Sequence, residues 1–564
     1  MASMRPFLYL ALAVVCFFLW QAWVDFKAPE PVRVEPLSQQ HDPLRETPAQ
    51  PSVNDEQAGV PQPMADEAQP EPQATTEARR STQGELITVE TDLLRVLIDP
   101  VGGELVSATL LEYRVSAKEP EPKVELFERN GPRVYTAQSG LISGNHPAPS
   151  HTAVFRPEQT EYRLGNGQDE LLVRLHWEQD DIVVTREYRF QRDRYLIEQR
   201  QRVENRSQEP WRGQQYAQLQ RTPRVGGSRF SFTNPENYAF YGAAIYSEEL
   251  GFEKISFSDI DSSRFDQLHD GGWAAMIQHY FVSAWIPDQS QTLRYETARL
   301  DRDVPRYLVR WREPGVQIEP GQSHEFSASL FVGPKLQDRL REAAPGMHLA
   351  VDYGFFTVFS QPLFWLLNAI HSVIGNWGWS IIFLTLLVKL VFYKLTETQY
   401  RSMARMRKLQ PRIMSLRERY ADDRTKLSEA MMKLYKEEKV NPLGGCLPLL
   451  VQIPVFLALY WVLLESVELR QASFMFWLQD LSSPDPYYIL PVIMGIAAWT
   501  QQKLNPMISA DPIQQRVMMA LPIFMAVMFA FFQAGLVLYW TTNQVLGLAQ
   551  QYYITRKIER EETK

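Results

Sequence analysis

Lys389 is the residue whose type and position most directly indicate a chemical role. It follows a long run without formal charge, Tyr353 to Val388, which is apolar enough to enter a bilayer. An ammonium group at the centre of a bilayer costs at least ~2.5 kcal/mol on insertion scales, so such residues usually mark a functional site. The alternative is that the side chain extends to the membrane surface, because Lys394 lies only ~7.5 Å further along the helix axis.

Two uncharged polar residues favour a functional site over the surface alternative. Thr385 precedes Lys389 by about one helical turn, so the two side chains share one face of the helix. Gln452 lies in the next apolar run at a comparable depth. A threonine, a glutamine and a lysine on facing helices predict a wetted cavity within the membrane, open to the cytoplasm.

Motifs for enzymatic chemistry are missing from the sequence. The sequence contains no Gly-Lys dipeptide, which excludes a P-loop, and no Gly-x-Ser-x-Gly motif. His324-Glu325 lacks the second histidine of a zinc helix. We therefore predict no catalytic residue, no cofactor, no metal site and no nucleotide hydrolysis. The net charge of −8 also argues against direct recognition of nucleic acid.

The first third of the chain changes in composition twice. Residues 1–26 contain an uncharged apolar run without a cleavage site, which predicts an N-terminal transmembrane anchor. Residues 27–84 are rich in Pro, Glu and Gln and lack aromatic residues, as is typical of a disordered tether. The two cysteines, Cys16 and Cys446, lie in or beside apolar runs, so no disulfide forms in the polar region between them.

Residues 85–350 alternate between apolar and polar positions, as β-strands do. Val173, Leu175 and Trp177 lie on one face of a predicted strand, and the period of two resumes at Ile182 after a turn at Gln179-Asp180-Asp181. No long segment with helical periodicity interrupts this pattern. We predict a large, mostly β domain built from two packed sheets.

The remainder of the chain divides into charged and uncharged runs. The loop at 396–445 is strongly basic, and the positive-inside rule places it and the basic tail in the cytoplasm. Both termini are then cytoplasmic, the β domain lies outside, and six transmembrane helices satisfy the orientation. The predicted segments are an interfacial amphipathic helix (351–375), a second span (376–395), a cytoplasmic helical hairpin (396–445), a third span (446–466), an external loop (467–485), a fourth span (486–503), a cytoplasmic loop (504–515), a fifth span (516–532), a sixth span (535–555) and a tail (556–564).

Three motifs resemble one known family. The run from Lys439 to Tyr460 (KVNPLGGCLPLLVQIPVFLALY), the pair Gln410-Pro411 and the run from Gly535 to Trp540 are similar to the signature of the bacterial YidC membrane-protein insertases. The similarity covers the whole chain, including the anchor, tether and external domain of Gram-negative members. The motifs are long and specific.

The resemblance implies a fold and a task. The fold is an α+β membrane protein in which a periplasmic β-supersandwich precedes a five-helix insertase core with a hydrophilic groove. The implied partners are nascent inner-membrane proteins, the Sec translocon and the lipid bilayer, with the signal-recognition-particle receptor and the ribosome as further candidates. The groove residues are Lys389, Thr385, Gln452, Tyr539 and Trp540, and Phe456 and Tyr460 are expected to contact the emerging substrate helix.

The sequence departs from the family pattern at its groove charge. The family usually has arginine where this chain has Lys389, which keeps the charge but loses the planar five-donor group. The short tail, ending Glu559-Arg-Glu-Glu-Thr-Lys564, is of mixed charge and lacks the long basic extension that binds ribosomes strongly.

Two other classes of function compete with the insertase. In a secondary transporter, Lys389 would be a coupling charge, but we find no inverted repeat and no partner carboxylate within the core. An envelope sensor would combine a ligand-binding β domain with a signalling hairpin, and it leaves the polar residues of the groove unexplained.

Overall fold

The computed structural model describes residues 60–61, 85–115, 122–129, 133–224, 239–301, 304–420, 423–438, 447–504 and 512–562. The predicted anchor (1–26), nearly all of the predicted tether (27–84) and the Lys439–Cys446 part of the family motif lie outside these residues.

The N-terminal half of the described chain is built from strands. They are β1 (Ile87–Glu90), β2 (Leu94–Asp99), β3 (Glu104–Arg114), β4 (Lys123–Glu125), β5 (Tyr135–Ser143), β6 (Arg156–Pro157), β7 (Glu161–Arg163), β8 (Glu170–Gln179), β9 (Ile182–Gln191), β10 (Leu196–Asn205), β11 (Trp211–Arg221), β12 (Gly242–Ser247), β13 (Gly251–Ile255), β14 (Asp266–Asp270), β15 (Trp273–Ile277), β16 (Phe281–Pro287), β17 (Thr292–Arg299), β18 (Tyr307–Arg312), β19 (Val316–Ile318) and β20 (Ser323–Pro334).

These strands form two sheets, which confirms the two-sheet prediction. The first sheet has the order β14-β17-β18-β11-β5-β3-β2-β1-β7, with β19 beside β11 and β4 beside β3. The second has the order β13-β12-β15-β16-β20-β10-β9-β8-β6. The sheets share a core that contains the fully buried rings of Trp273, Trp285 and Trp311. We call this part of the chain, residues 85–350, the β domain.

The two strands and the turn that the alternation predicted form the hairpin of β8 and β9. The two strands pair antiparallel and Gln179 faces Ile182. Asp180 and Asp181 both have positive φ, 49° and 61°, as the two-residue type I′ turn requires. Val173 and Leu175 are fully buried in the sandwich, so one face of the hairpin supplies the core.

A polar network lies inside the sandwich and was not predicted. The amide of Gln138 donates to the Glu104 carboxyl group at 2.9 Å, and Gln218 and Gln220 both donate to the Gln138 oxygen at 2.7 Å. Glu104 is 5% exposed. Burial raises the pKa of its carboxyl group to about 7, because the charged form loses its hydration.

Helices follow the β domain. The described α-helices are α1 (Phe257–Ser262) and α2 (Gln337–Ala343) within or beside the β domain, and then α3 (Thr357–Ile374), α4 (Trp377–Val391), α5 (Tyr393–Arg419), α6 (Arg424–Glu437), α7 (Leu447–Glu465), α8 (Ile489–Leu504), α9 (Pro512–Phe529) and α10 (Ala534–Glu562).

Local sequence sets the boundaries of α3 and α4. Gly375 ends α3 with a φ of 71°, a conformation that glycine adopts without strain. Asn376 then caps α4, because its side chain accepts a hydrogen bond from the Trp379 N–H at 3.1 Å. At Phe392 the chain bends by 65° before α5 begins. The apolar α4 and the charged α5 therefore point in different directions.

Within the described residues, no unbroken helix has both the length and the apolar character that a membrane crossing requires. The bent pair formed by α4 and the first half of α5 has both when it is taken as one unit.

The β domain contacts the helices through buried polar groups. Tyr280, in the β15–β16 turn, accepts a hydrogen bond from Gln533 at 3.0 Å, and the neighbouring His279 ring lies 3.0 Å from the Leu464 carbonyl oxygen. Burial lowers the pKa of His279 to about 3, so its ring is neutral and donates an N–H to that carbonyl. The turn thereby holds the end of α7 and the start of α10 together.

Candidate functional site

Helix α10 is the element on which the predicted site residues converge. It packs against α4, α5, α7 and α8, so it faces every helix that carries a predicted groove residue. Tyr539, Asn543 and Gly547 follow one another along α10 at steps of about one turn, and they therefore share a face. This face is aromatic at one end and polar at the other.

Lys389 of α4 meets α10 at a glycine. A Cβ placed on Gly547 would lie 3.6 Å from the Lys389 Nζ and 3.5 Å from the Gln501 amide nitrogen. The absence of a side chain at Gly547 therefore leaves room for the ammonium group between α4, α8 and α10. Among the described residues, no carboxylate is close enough to compensate the charge of Lys389.

Tyr400 joins the same cluster from α5. Its hydroxyl group donates to the Gly547 carbonyl oxygen at 3.4 Å and accepts from the Gln501 amide at 3.3 Å. The polar groups of α5, α8 and α10 thus surround the region that the Lys389 ammonium group enters. We call Lys389, Gln501, Tyr400 and Gly547 the lysine cluster.

Gln452 lies beside α10 about one turn away from the lysine cluster. Its amide nitrogen is 3.5 Å from the Asn543 side-chain oxygen, and the pair is partly buried. Since 3.5 Å is at the long end for a hydrogen bond, this contact is weak and leaves both amides free to bind water or another polar group. The structure therefore brings Gln452 towards the lysine cluster through Asn543.

Thr385 does not present its hydroxyl hydrogen to the site. The side chain is 1% exposed, and its hydroxyl group donates to the Ile381 carbonyl oxygen of its own helix at 2.7 Å. Its shared helical face with Lys389 therefore does not make it a hydrogen-bond donor to a ligand. Only the lone pairs of its oxygen remain for the site.

The predicted aromatic residues form a continuous group between α7 and α10. The ring of Phe456 stacks on Tyr539 with centroids 6.2 Å apart and meets Trp540 edge-on at 4.5 Å. Trp540 also stacks on Phe529 of α9 at 5.4 Å. Tyr460, one turn after Phe456, meets the ring of Trp461 edge-on. Tyr539 is 2% exposed, so its ring is part of the packing between helices.

A network of opposite charges lies where α4 gives way to α5. Glu397 lies 3.1 Å from Arg401 and 3.6 Å from Lys557 of α10, measured between nitrogen and oxygen atoms, and Lys394 lies 3.7 Å away. The hydrogen bond from Arg401, with the charges of Lys557 and Lys394, lowers the pKa of Glu397. Three cations surround one carboxylate, so this end of the site carries excess positive charge.

Sequence reasoning missed Asn543, Gln501 and Tyr400. The signal for the first two was present, since both are uncharged polar residues inside apolar runs, as Gln452 is. Their contribution depends on which helices are neighbours, and hydropathy does not determine that. Tyr400 lay in a segment predicted to be in water, and only the bend at Phe392 returns its ring to α10.

Matches to two family models define the class of protein. The family model described as the YidC periplasmic domain matches residues 86–366, and the model described as a 60Kd inner membrane protein matches residues 369–562. The two matches together make this chain an inner-membrane protein with a periplasmic domain, and they coincide with the two-sheet β domain and the helical region that follows it.

Full-length relatives identify the family within this class. A membrane protein insertase YidC from Nitrosococcus oceani is 45% identical over 100% of both chains, and one from Thioalkalivibrio sulfidiphilus is 46% identical over 99% of both. A crystal structure of an active YidC insertase with its first transmembrane domain resolved is 19% identical, with a TM-score of 0.38, over 84% of this chain and 93% of that one. The chain belongs to the YidC family of membrane protein insertases, which confirms the resemblance.

Proposed function

We propose that this protein inserts nascent inner-membrane proteins by holding their polar segments in the groove beside Lys389 while their apolar helices pass sideways into lipid. The observation that carries this proposal is the position of Lys389. Its ammonium group lies against Gly547 among uncharged polar groups, with no compensating carboxylate among the described residues.

The physical task of such a groove is to lower the free energy of moving polar groups into the bilayer. A peptide group that enters hydrocarbon without a hydrogen-bond partner costs roughly 2–7 kcal/mol. Water and the amides of Gln452, Asn543 and Gln501 would supply such partners. Burial of the substrate's apolar helix, with help from the membrane potential for charged segments, would drive the step without ATP.

The charge of Lys389 favours acidic substrate segments. The surplus of cations around Glu397 would attract such a segment first, and Lys389 would then stabilise it further inside. Phe456, Tyr460 and Trp540 would contact the emerging transmembrane helix. Because Tyr539 is almost fully buried, we assign it to the support of Phe456.

The proposed topology follows from this task. The chain crosses the inner membrane six times, once in the anchor and five times in α4, α7, α8, α9 and α10, with α3 at the periplasmic surface and the β domain in the periplasm. The hairpin of α5 and α6 and both termini are cytoplasmic. The Sec translocon, the signal-recognition-particle receptor and the ribosome are the proposed partners. A cysteine at Lys426 that reacts only with reagents added from the cytoplasm would support this orientation.

Crosslinking to a stalled nascent chain tests the proposed function. A photo-reactive residue is placed at Gln452 or Asn543, and a matched control is placed at Val545, which is 45% exposed on the same helix as Asn543. We expect adducts with a stalled inner-membrane substrate at the first two positions and much weaker ones at Val545. No adduct at any position would contradict the insertase, and solute flux in proteoliposomes would favour a transporter instead.

A further inference from the structure

A cavity of about 350 Å³ lies where the β domain meets the helices. Its wall combines residues of the second sheet, the segment that leads into α3 and the end of α7. This volume is at the lower end of the range for small-molecule sites. The groove beside Lys389 does not include any of these residues.

Four charged side chains line the cavity, and their charges cancel. Lys335 and Glu465 are 3.2 Å apart and almost fully buried, with side chains 3% and 6% exposed. Lys254 pairs with Asp352, and these side chains are 39% and 32% exposed. A cavity with two cations and two anions favours a ligand that carries both signs over one that carries a single net charge.

The two ammonium groups retain capacity for further hydrogen bonds. Each lysine has three N–H donors. Among the described residues, Lys335 donates to Glu465 and, at 3.4 Å, to the Ala350 carbonyl oxygen, whereas Lys254 donates to Asp352 alone. A phosphate group in the cavity would therefore find N–H donors without breaking either ion pair.

The uncharged part of the lining is apolar, with three aromatic rings, and one edge of it adjoins the start of α3. Phe240, Phe252 and Trp461 complete the wall, and the Phe240 ring lies 5.5 Å from the Lys254 ammonium group. Gly354, at the edge of the cavity, precedes Phe355, which is 93% exposed, and Val358 of α3 is 77% exposed. Exposed apolar residues of this kind, at the start of α3, fit the periplasmic surface of the membrane, where lipid would cover them.

We propose that this cavity binds the headgroup of a phosphatidylethanolamine molecule from the periplasmic leaflet. The lipid phosphate accepts hydrogen bonds from Lys254 and Lys335, and its ammonium group donates to Asp352 and Glu465. The aromatic wall contacts the glycerol region, and the acyl chains follow Phe355 into the bilayer. The proposal rests on the proposed placement of α3 at the membrane surface.

The test measures lipid retention by the full chain. The protein is purified from vesicles of equal parts phosphatidylethanolamine, phosphatidylcholine and phosphatidylglycerol, washed in detergent, and analysed by native mass spectrometry. We expect retention of phosphatidylethanolamine over the other two, because phosphatidylcholine has no N–H to donate and phosphatidylglycerol carries a net charge. Lys254→Gln should retain it about tenfold less, as expected for one lost charge-assisted hydrogen bond. Lys123→Gln, at an exposed position of strand β4, is the matched control.

Each other result overturns the proposal. Equal retention of the three lipids, or equal loss in the two variants, would exclude a specific headgroup site. If soluble phosphoethanolamine at equal concentration displaces the lipid completely, the acyl chains and the membrane add nothing to binding. The cavity would then be a site for a soluble molecule and not for a lipid. Insertion by both variants is measured in parallel, so a failure of lipid binding with normal insertion would leave the proposed function intact.

Discussion

The substitution Glu104→Gln is expected to remove a pH-dependent loss of stability from the β domain. Glu104 is 5% exposed inside the sandwich, and burial raises its pKa from 4.5 to about 7. A carboxyl group whose pKa is raised in the folded state stabilises the fold below its unfolded pKa. That contribution is lost as the pH rises through the folded pKa. The loss therefore develops between about pH 4.5 and 7.

The magnitude follows from the size of the shift. A shift of one unit corresponds to ~1.36 kcal/mol, so the wild-type domain should lose about 3 kcal/mol between pH 4 and pH 8 through this residue. Glutamine resembles the protonated acid in shape and still accepts the hydrogen bond from Gln138. Glu104→Gln should thus be nearly neutral at pH 4 and stabilise the domain by about 3 kcal/mol at pH 8.

The assay is urea unfolding of residues 85–350 followed by tryptophan fluorescence. Trp211, Trp273, Trp285 and Trp311 are all fully buried there, so their emission reports unfolding. Glu313, whose pKa burial raises to about 8, contributes a similar dependence to both proteins. Only the difference between variant and wild type is therefore interpreted. A difference that stays constant from pH 4 to pH 8 would refute the assignment of a buried, protonated Glu104.

Two further predictions concern the groove. Lys389→Arg should support growth of cells depleted of the insertase, whereas Lys389→Ala should reduce insertion of substrates with acidic external segments. Normal insertion of all substrates by Lys389→Ala would mean that the Lys389 side chain only extends to the membrane surface and has no role in the groove. Gly547→Ala should be tolerated, because its Cβ would lie 3.5 and 3.6 Å from Gln501 and Lys389, but Gly547→Leu should displace the ammonium group and reduce the same insertion severalfold. Insertion of a radiolabelled acidic substrate into proteoliposomes measures both pairs, and equal activity of the alanine and leucine variants would show that the space at Gly547 is unimportant.

The sequence predicts the local features of this fold well, but it does not predict which distant segments pair with one another. The alternation around Val173 and Leu175 determines strand type, buried face and turn position, because each depends on neighbours a few residues away. The order of strands in the two sheets joins segments far apart in the chain, such as β5 and β11, and no local pattern encodes that pairing. The buried Glu104 was missed for the same reason, since its partner Gln138 is on another strand.

The candidate site divides in the same way. The uncharged runs indicated Lys389 and Gln452 because a polar residue among apolar ones is visible in one dimension. Asn543 and Gly547 became significant only when α10 was seen to pack against both α4 and α7. Thr385 shows the opposite case, because its helical face was predicted but its hydroxyl group bonds to its own backbone. Spacing gives the face of a helix and leaves the direction of a hydrogen bond undetermined.

The 65° bend at Phe392 affects how a substrate segment reaches the groove. The 14 residues of α5 up to Met406 are ~21 Å long, so at this angle they reach ~19 Å sideways from the axis of α4. A polypeptide segment held anywhere on that stretch stays within ~21 Å of the end of α4. Its encounter with the groove is then effectively intramolecular, at an effective concentration in the millimolar range. A contact too weak to be isolated would suffice to keep a growing chain beside the groove for as long as the ribosome continues to extend it.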